Sequence, residues 1–116
     1  MEATAYARFQ RFGTRKVAQV LTQIRGKSVA RAQDLLPLIP RKSTVIVVKA
    51  LKSAAANLQV KAGKKLDPAA MYVKAAWVGQ GPMQNMKRVL PAPQGRAYTF
   101  KRKVCHLTMV VSDERK

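Results

Sequence analysis

Acids, cysteine and histidine are all scarce in this chain. Of its 116 residues five are Asp or Glu, one is Cys and one is His. The lone Cys105 excludes an internal disulfide and suits a reducing compartment. One Cys and one His leave a four-ligand zinc site without its usual donors, so neither a metal nor a cofactor is expected. Long apolar runs are missing as well. The longest, Thr44 to Val48 with Ala50 and Leu51, is broken by Lys49 and falls far short of the ~20 residues of a membrane helix, so no membrane contact is expected. The start, Met1-Glu2-Ala3-Thr4, has neither the positive charge and apolar stretch of a signal peptide nor the Arg- and Ser-rich character of a transit peptide. A cytoplasmic location is expected, with an organellar one left open.

Catalytic constellations are equally thin. Glu2, Asp34, Asp67, Asp113 and Glu114 are scattered, which suits turns and surface ion pairs rather than paired acid–base work. Cys105 and His106 are adjacent, so on a strand they point to opposite faces and cannot act as nucleophile and base. Cys105 reads as a small core residue, His106 as an exposed polar side chain or a nucleic-acid contact. Gly26-Lys27-Ser28 resembles the end of a phosphate-binding loop but lacks the earlier glycine and the leading strand. No enzyme activity is expected.

What the chain has in excess is positive charge: 23 Lys and Arg, a formal net charge of +18 and a pI near 11.1. Residues 1–58 and 59–116 each carry a net +9, so the charge coats a folded body rather than a tail. Such a body collects polyanions. The length is that of one domain, and 47% apolar residues argue against disorder throughout.

Ala3, Ala5, Ala7 and Phe9 alternate with Thr4, Tyr6 and Arg8, the period of a strand. Val17, Val20, Leu21 and Ile24 then form the stripe of a helix, with Thr14 as its cap and left-handed Gly26 closing it. Ser28 caps a second helix through Val29, Ala32, Leu35 and Leu36, which Pro37 and Pro40 should end. A third helix is expected from about Lys42 to Lys61 on Val47, Leu51, Ala54 and Leu58. Its β-branched start also fits a strand, but the alanine-rich continuation favours helix. Turns follow from Ala62 to Pro68. Alternation from Met71 to Val78, and again from Cys105 to Val111, predicts two long antiparallel strands.

Between them lie 25 residues, Gly79 to Lys103, with six basic residues, three prolines, three glycines and no acid. A structureless loop of that length inside a small domain is improbable without a task. The composition fits an extended basic β-hairpin arm whose tip is Leu90, Pro91, Ala92, Pro93, Gln94, Gly95 and Arg96. Tyr98 and Phe100 either pack across this hairpin or stack on bases; packing is the preferred reading. Candidate phosphate contacts are Arg8 and Arg11 near the first strand, Arg15 and Lys16 in the first helical turn, Arg25 and Lys27 at that helix's end, and Arg41 and Lys42 before the third helix. The arm adds Lys87, Arg88, Arg96, Lys101, Arg102 and Lys103.

Seven short motifs also occur in a telling order: Arg15-Lys16-Val17, Ile24-Arg25-Gly26-Lys27-Ser28, Ser53-Ala54-Ala55-Ala56-Asn57, Tyr72 to Val78, Gly81-Pro82, Lys87 to Pro91, and Gly95-Arg96-Ala97. Together they resemble the family of bacterial ribosomal protein twenty-two of the large subunit, over about Ala3 to Val111. The resemblance implies an α+β fold, three helices on a three-stranded antiparallel sheet with a long extended β-hairpin arm. It implies a structural constituent of the large ribosomal subunit that binds large-subunit ribosomal RNA and touches neighbouring ribosomal proteins. The hairpin tip would line the nascent-peptide exit tunnel and meet the nascent peptide, and no homo-oligomer is expected. The sequence departs from the family at Ala92 and Gln94, where basic residues are usual, and at Gly79 and Gln80, where acids are. Other departures are Gly13-Thr14 in place of Ser-Pro, Ala18 in place of arginine, and two extra residues within 83–86. A free, sequence-indifferent nucleic-acid chaperone or nucleoid protein is the alternative that composition alone allows.

Overall fold

Three helices form where apolar spacing places them. In the computed structural model, which describes residues 1–84 and 87–114, α1 is Thr14–Ile24, α2 is Val29–Leu35 and α3 is Thr44–Ala62. The α1 stripe of Val17, Val20, Leu21 and Ile24 is fully buried, as are Val47, Leu51, Ala54 and Leu58 of α3. Ser28 Oγ accepts the Arg31 backbone N–H at 3.3 Å, the expected α2 cap. One expected helix end differs. Thr14 is the first residue of α1 rather than its cap; Gly13 holds the cap position and offers no side-chain bond. At the other end Arg25 is extended, and left-handed Gly26 (φ 77°) follows it, its N–H donating to Val73 O. The α2 helix ends at Leu35, just before Pro37, as expected. The chain tightens into a 3-10 turn, Leu36–Leu38, with Pro37 near its start, where the missing N–H costs nothing.

The sheet is antiparallel in the order β1–β5–β2, built from β1 (Glu2–Gln10), β2 (Tyr72–Gln80) and β5 (Cys105–Ser112). The central β5 presents Cys105, Leu107, Met109 and Val111 to the helices, all fully buried. One-residue irregularities occur in both edge strands. The one between Val73 and Ala75 reverses the alternation of β2, so Val73 and Ala76 are buried while Trp77 is half exposed. A bulge adds one residue to one strand and flips every side chain beyond it.

The arm leaves this body as a two-stranded ribbon, β3 (Lys87–Pro91) against β4 (Ala97–Lys101). Leu90 and Pro91, expected at the tip, are strand residues paired with Tyr98 and Ala97. The reversal itself spans Ala92 to Arg96, with the Ala92 N–H donating to Arg96 O at 3.0 Å and positive φ at Gln94 and Gly95. Gly79 and Gln80 remain in the body, paired with His106 and Cys105. The two-residue insertion within 83–86 reaches Asn85 and Met86, which lie outside the described residues. The molecule extends 64 × 26 × 19 Å with a radius of gyration of 17.3 Å, against about 13 Å for a compact chain of this length.

Candidate nucleic-acid interface

The root of the arm, the start of α1 and the loop before α3 meet in a cationic groove. Two adjoining hollows form it, of about 420 and 600 Å³, sharing Gly13, Lys16 and Lys103. The first is completed by Thr14, Arg15, Gln19, Arg41, Gln80 and Val104. The second is completed by Arg11, Phe12, Arg88, Phe100, Lys101 and Arg102. Among the described residues eight basic side chains line the groove and no acid does.

Local folding explains the convergence. Gly13 at the cap position leaves the first N–H groups of α1 without a side-chain acceptor, and Thr14, Arg15 and Lys16 bring that helix end to the groove wall. Unfilled N–H groups and the positive end of the helix dipole attract phosphate. On the arm side, the Gly81 N–H donates to Val104 O at 2.8 Å, holding the two legs of the arm together where they leave the sheet. Arg102 lies over the Phe100 ring, 5.2 Å from its centroid, a cation–π contact that fixes the guanidinium without neutralising it.

Of the expected phosphate contacts, the structure brings Arg11, Arg15, Lys16, Arg41, Arg88, Lys101, Arg102 and Lys103 together and leaves six apart. Arg25 donates from Nε to Ala76 O at 2.8 Å, tying α1 to β2. Lys27 lines a separate hollow of about 440 Å³ with Arg31. Arg8 lies over the Tyr6 ring beside a hollow that includes Lys49. Lys42 is exposed before α3, Lys87 stands on the arm opposite Lys101, and Arg96 closes the tip. Arg31 and Lys49 were not among the expected contacts. The signal for Arg31 was its i+4 spacing from Lys27; Lys49 stands out only as the charge interrupting an apolar helix.

Counter-charge is nearly absent. Among the described residues the one basic side chain in an ion pair is Lys74, held by Glu2; the other pair joins the N-terminal amine to Asp113. The described residues hold no group of three or more His, Cys, Asp or Glu placed to share a metal ion. They include no helix long and apolar enough to cross a membrane. Burial pushes the Cys105 thiol above its ordinary pKa, an effect partly offset by a backbone hydrogen bond from Phe12. His106 Nδ1 accepts the Phe9 N–H at 3.0 Å, and the Phe9 ring meets the imidazole edge-on. That nitrogen is engaged in holding the end of β1.

The family described as ribosomal protein L22p/L17e matches residues 5–112. The chain belongs to that family. It is 44% identical to the large ribosomal subunit protein uL22 of Endomicrobium trichonymphae, over 97% of this chain and 93% of that one. To the protein of the same name from Clostridium tetani (strain Massachusetts / E88) it is 42% identical, over 97% and 98%. A third, from Acaryochloris marina, is 42% identical over 97% and 90%. Membership in this ribosomal family accounts for the α+β body with its protruding arm.

Proposed function

We propose that the chain is a structural constituent of the large ribosomal subunit and acts by binding and organising ribosomal RNA. The observation that carries this reading is the groove of eight cations at the arm root, none of them ion-paired among the described residues, in a chain of a ribosomal family. RNA segments that repel one another are brought together when Lys and Arg replace their condensed counterions. The whole chain, 1–116, acts as one RNA-binding domain, and about 79–103 is the arm that penetrates the RNA. The tip, Ala92 to Arg96 flanked by Leu90 and Pro91, lines the nascent-peptide exit tunnel. The chain contributes no catalysis, works as a single copy beside other large-subunit proteins, and resides in cytoplasmic ribosomes.

Gradient sedimentation of the tagged chain from a cell lysate, with crosslinks from positions 88 and 94 mapped onto RNA, tests this. Co-migration with large subunits and crosslinks at a few RNA positions are expected. Slow sedimentation with diffuse crosslinks would assign the chain to free, sequence-indifferent nucleic-acid binding instead.

A further inference from the structure

The helices cover one face of the sheet and leave the other without a helix, where Thr108 and Val110 of the central strand are 8% and 9% exposed between their neighbours. Because Leu107 and Met109 point into the core, Thr108 between them points outward. Tyr6 and Trp77 stand opposite Thr108 on either side, so three outward residues form a row across the sheet with an aromatic ring at each end. Tyr6 is 61% exposed and Trp77 50%. Arg8, two residues along β1 from Tyr6, lies with its guanidinium 4.9 Å from the Tyr6 ring centroid.

We propose that this face is a stacking platform for unpaired RNA bases, distinct from the cationic groove. The inference rests on the reading of the chain as an RNA-binding protein and names the kind of RNA this surface takes. Strand spacing sets the Tyr6 and Trp77 backbones about 10 Å apart. Two π-faces on an open antiparallel sheet suit successive bases of a single strand, whereas a duplex keeps its bases stacked inside. Charge selects nucleic acid over an apolar protein surface. The three strands carry one acid, Glu2, at the far end of β1 where it pairs with Lys74, while Arg8, lying over one side of the Tyr6 ring, adds positive charge to the row. Trp77 and Tyr6 lie outside the apolar core cluster and flank Thr108.

Trp77 is the only tryptophan, so its emission reports this face directly. The full chain is titrated with a 12-nucleotide adenosine RNA and with a 12-base-pair RNA duplex. The single strand is expected to quench Trp77 emission by half or more, and the duplex to bind with little quenching. Tyr6→Leu and Trp77→Leu, followed by filter binding, are expected to weaken the single strand about tenfold each and to leave duplex affinity unchanged. Equal quenching by both RNAs, or an unchanged ratio of affinities in both variants, overturns the platform while leaving RNA binding by the groove intact. Absence of binding to either RNA would overturn the proposed function and the platform with it. Crosslinks from position 77 to a protein in assembled subunits would assign the face to a protein neighbour and also overturn it.

Discussion

Removing charge from the arm root should change the salt dependence of RNA binding, not just its strength. Arg88, Lys101 and Lys103 are exposed and line the groove, and none makes an ion pair among the described residues. Their joint replacement by Ala should therefore leave the fold within about 0.5 kcal/mol per site. If five or six phosphates are engaged, log affinity for a duplex-containing fragment falls with log salt at a slope of about −4 to −5. Each lost phosphate contact flattens that slope by about 0.9, so the triple variant should show roughly −2. At 0.1 M salt the same arithmetic gives close to one decade per contact, an upper bound of about 500-fold in affinity. Filter binding across salt concentrations measures both quantities, with circular dichroism as the check on folding. Lys64→Ala with Lys65→Ala is the control, since these residues follow α3 at the end roughly 28 Å from Arg41 and lie outside the groove. A slope change below one unit in the triple variant, or the same change in the control, would refute a localised interface.

Two further outcomes test the scaffold. A Cβ on Gly81 would sit 2.9 Å from Val104 Cγ1 and 3.2 Å from His106 Nε2, so Gly81→Ala should force the legs of the arm apart at a cost of about 1–3 kcal/mol. Limited trypsin digestion should then cut at Arg88 and Lys101 about tenfold faster, and an unchanged rate would sink the idea of a packed root. Because burial raises the Cys105 pKa above 9.0, the thiol's share of stability is complete below that pH. It is lost as pH rises through the higher folded-state value. In urea unfolding the advantage of the native chain over Cys105→Ala should therefore shrink above about pH 9, and a difference that stays constant to pH 11 would contradict this.

The body of the fold was legible because burial imposes a period. The stripes of α1 and α3 and the alternation of β1 and β5 each put one face in the core, so the sequence had to repeat at 3.6 or 2. The same logic failed beyond Ala7 in β1, where a bulge leaves Phe9 65% exposed rather than on the face of Ala3 and Ala5, and again at β2. Nothing in Tyr72-Val73-Lys74-Ala75-Ala76-Trp77 marks a bulge, and two adjacent alanines hide which one is buried. The α1 cap was misread because Thr14 is a good capping residue, yet the chain enters one position earlier at Gly13. The missing acids pointed to a polyanion partner, and the length and charge of residues 79–103 to an extended arm, which the ribbon of β3 and β4 forms. The groove itself was not visible, since it joins residues 11–16, Arg41, Gln80, Arg88 and 100–104, which only the folded chain brings together. Aromatics amid basic residues directed attention to Tyr98 and Phe100. Of these Tyr98 is 64% exposed, and Phe100 holds Arg102 against its ring, as Tyr6 holds Arg8.

The arm and the body follow opposite electrostatic rules. The body buries 23 residues in one apolar cluster without a single charge. The ribbon sets Lys87 directly opposite Lys101, a cross-strand pair of like charges that weakens a sheet, and continues into Arg102 and Lys103. It exposes Val89, Leu90 and Tyr98 to solvent. A two-stranded ribbon alone is marginal in water, and this one adds repulsion to that weakness. Bound phosphate reverses the sign of the repulsion, because an anion between Lys87 and Lys101 turns the least favourable pair of the ribbon into a shared contact. The features that make the arm a poor free-standing hairpin are thus the ones that suit it to being held by RNA.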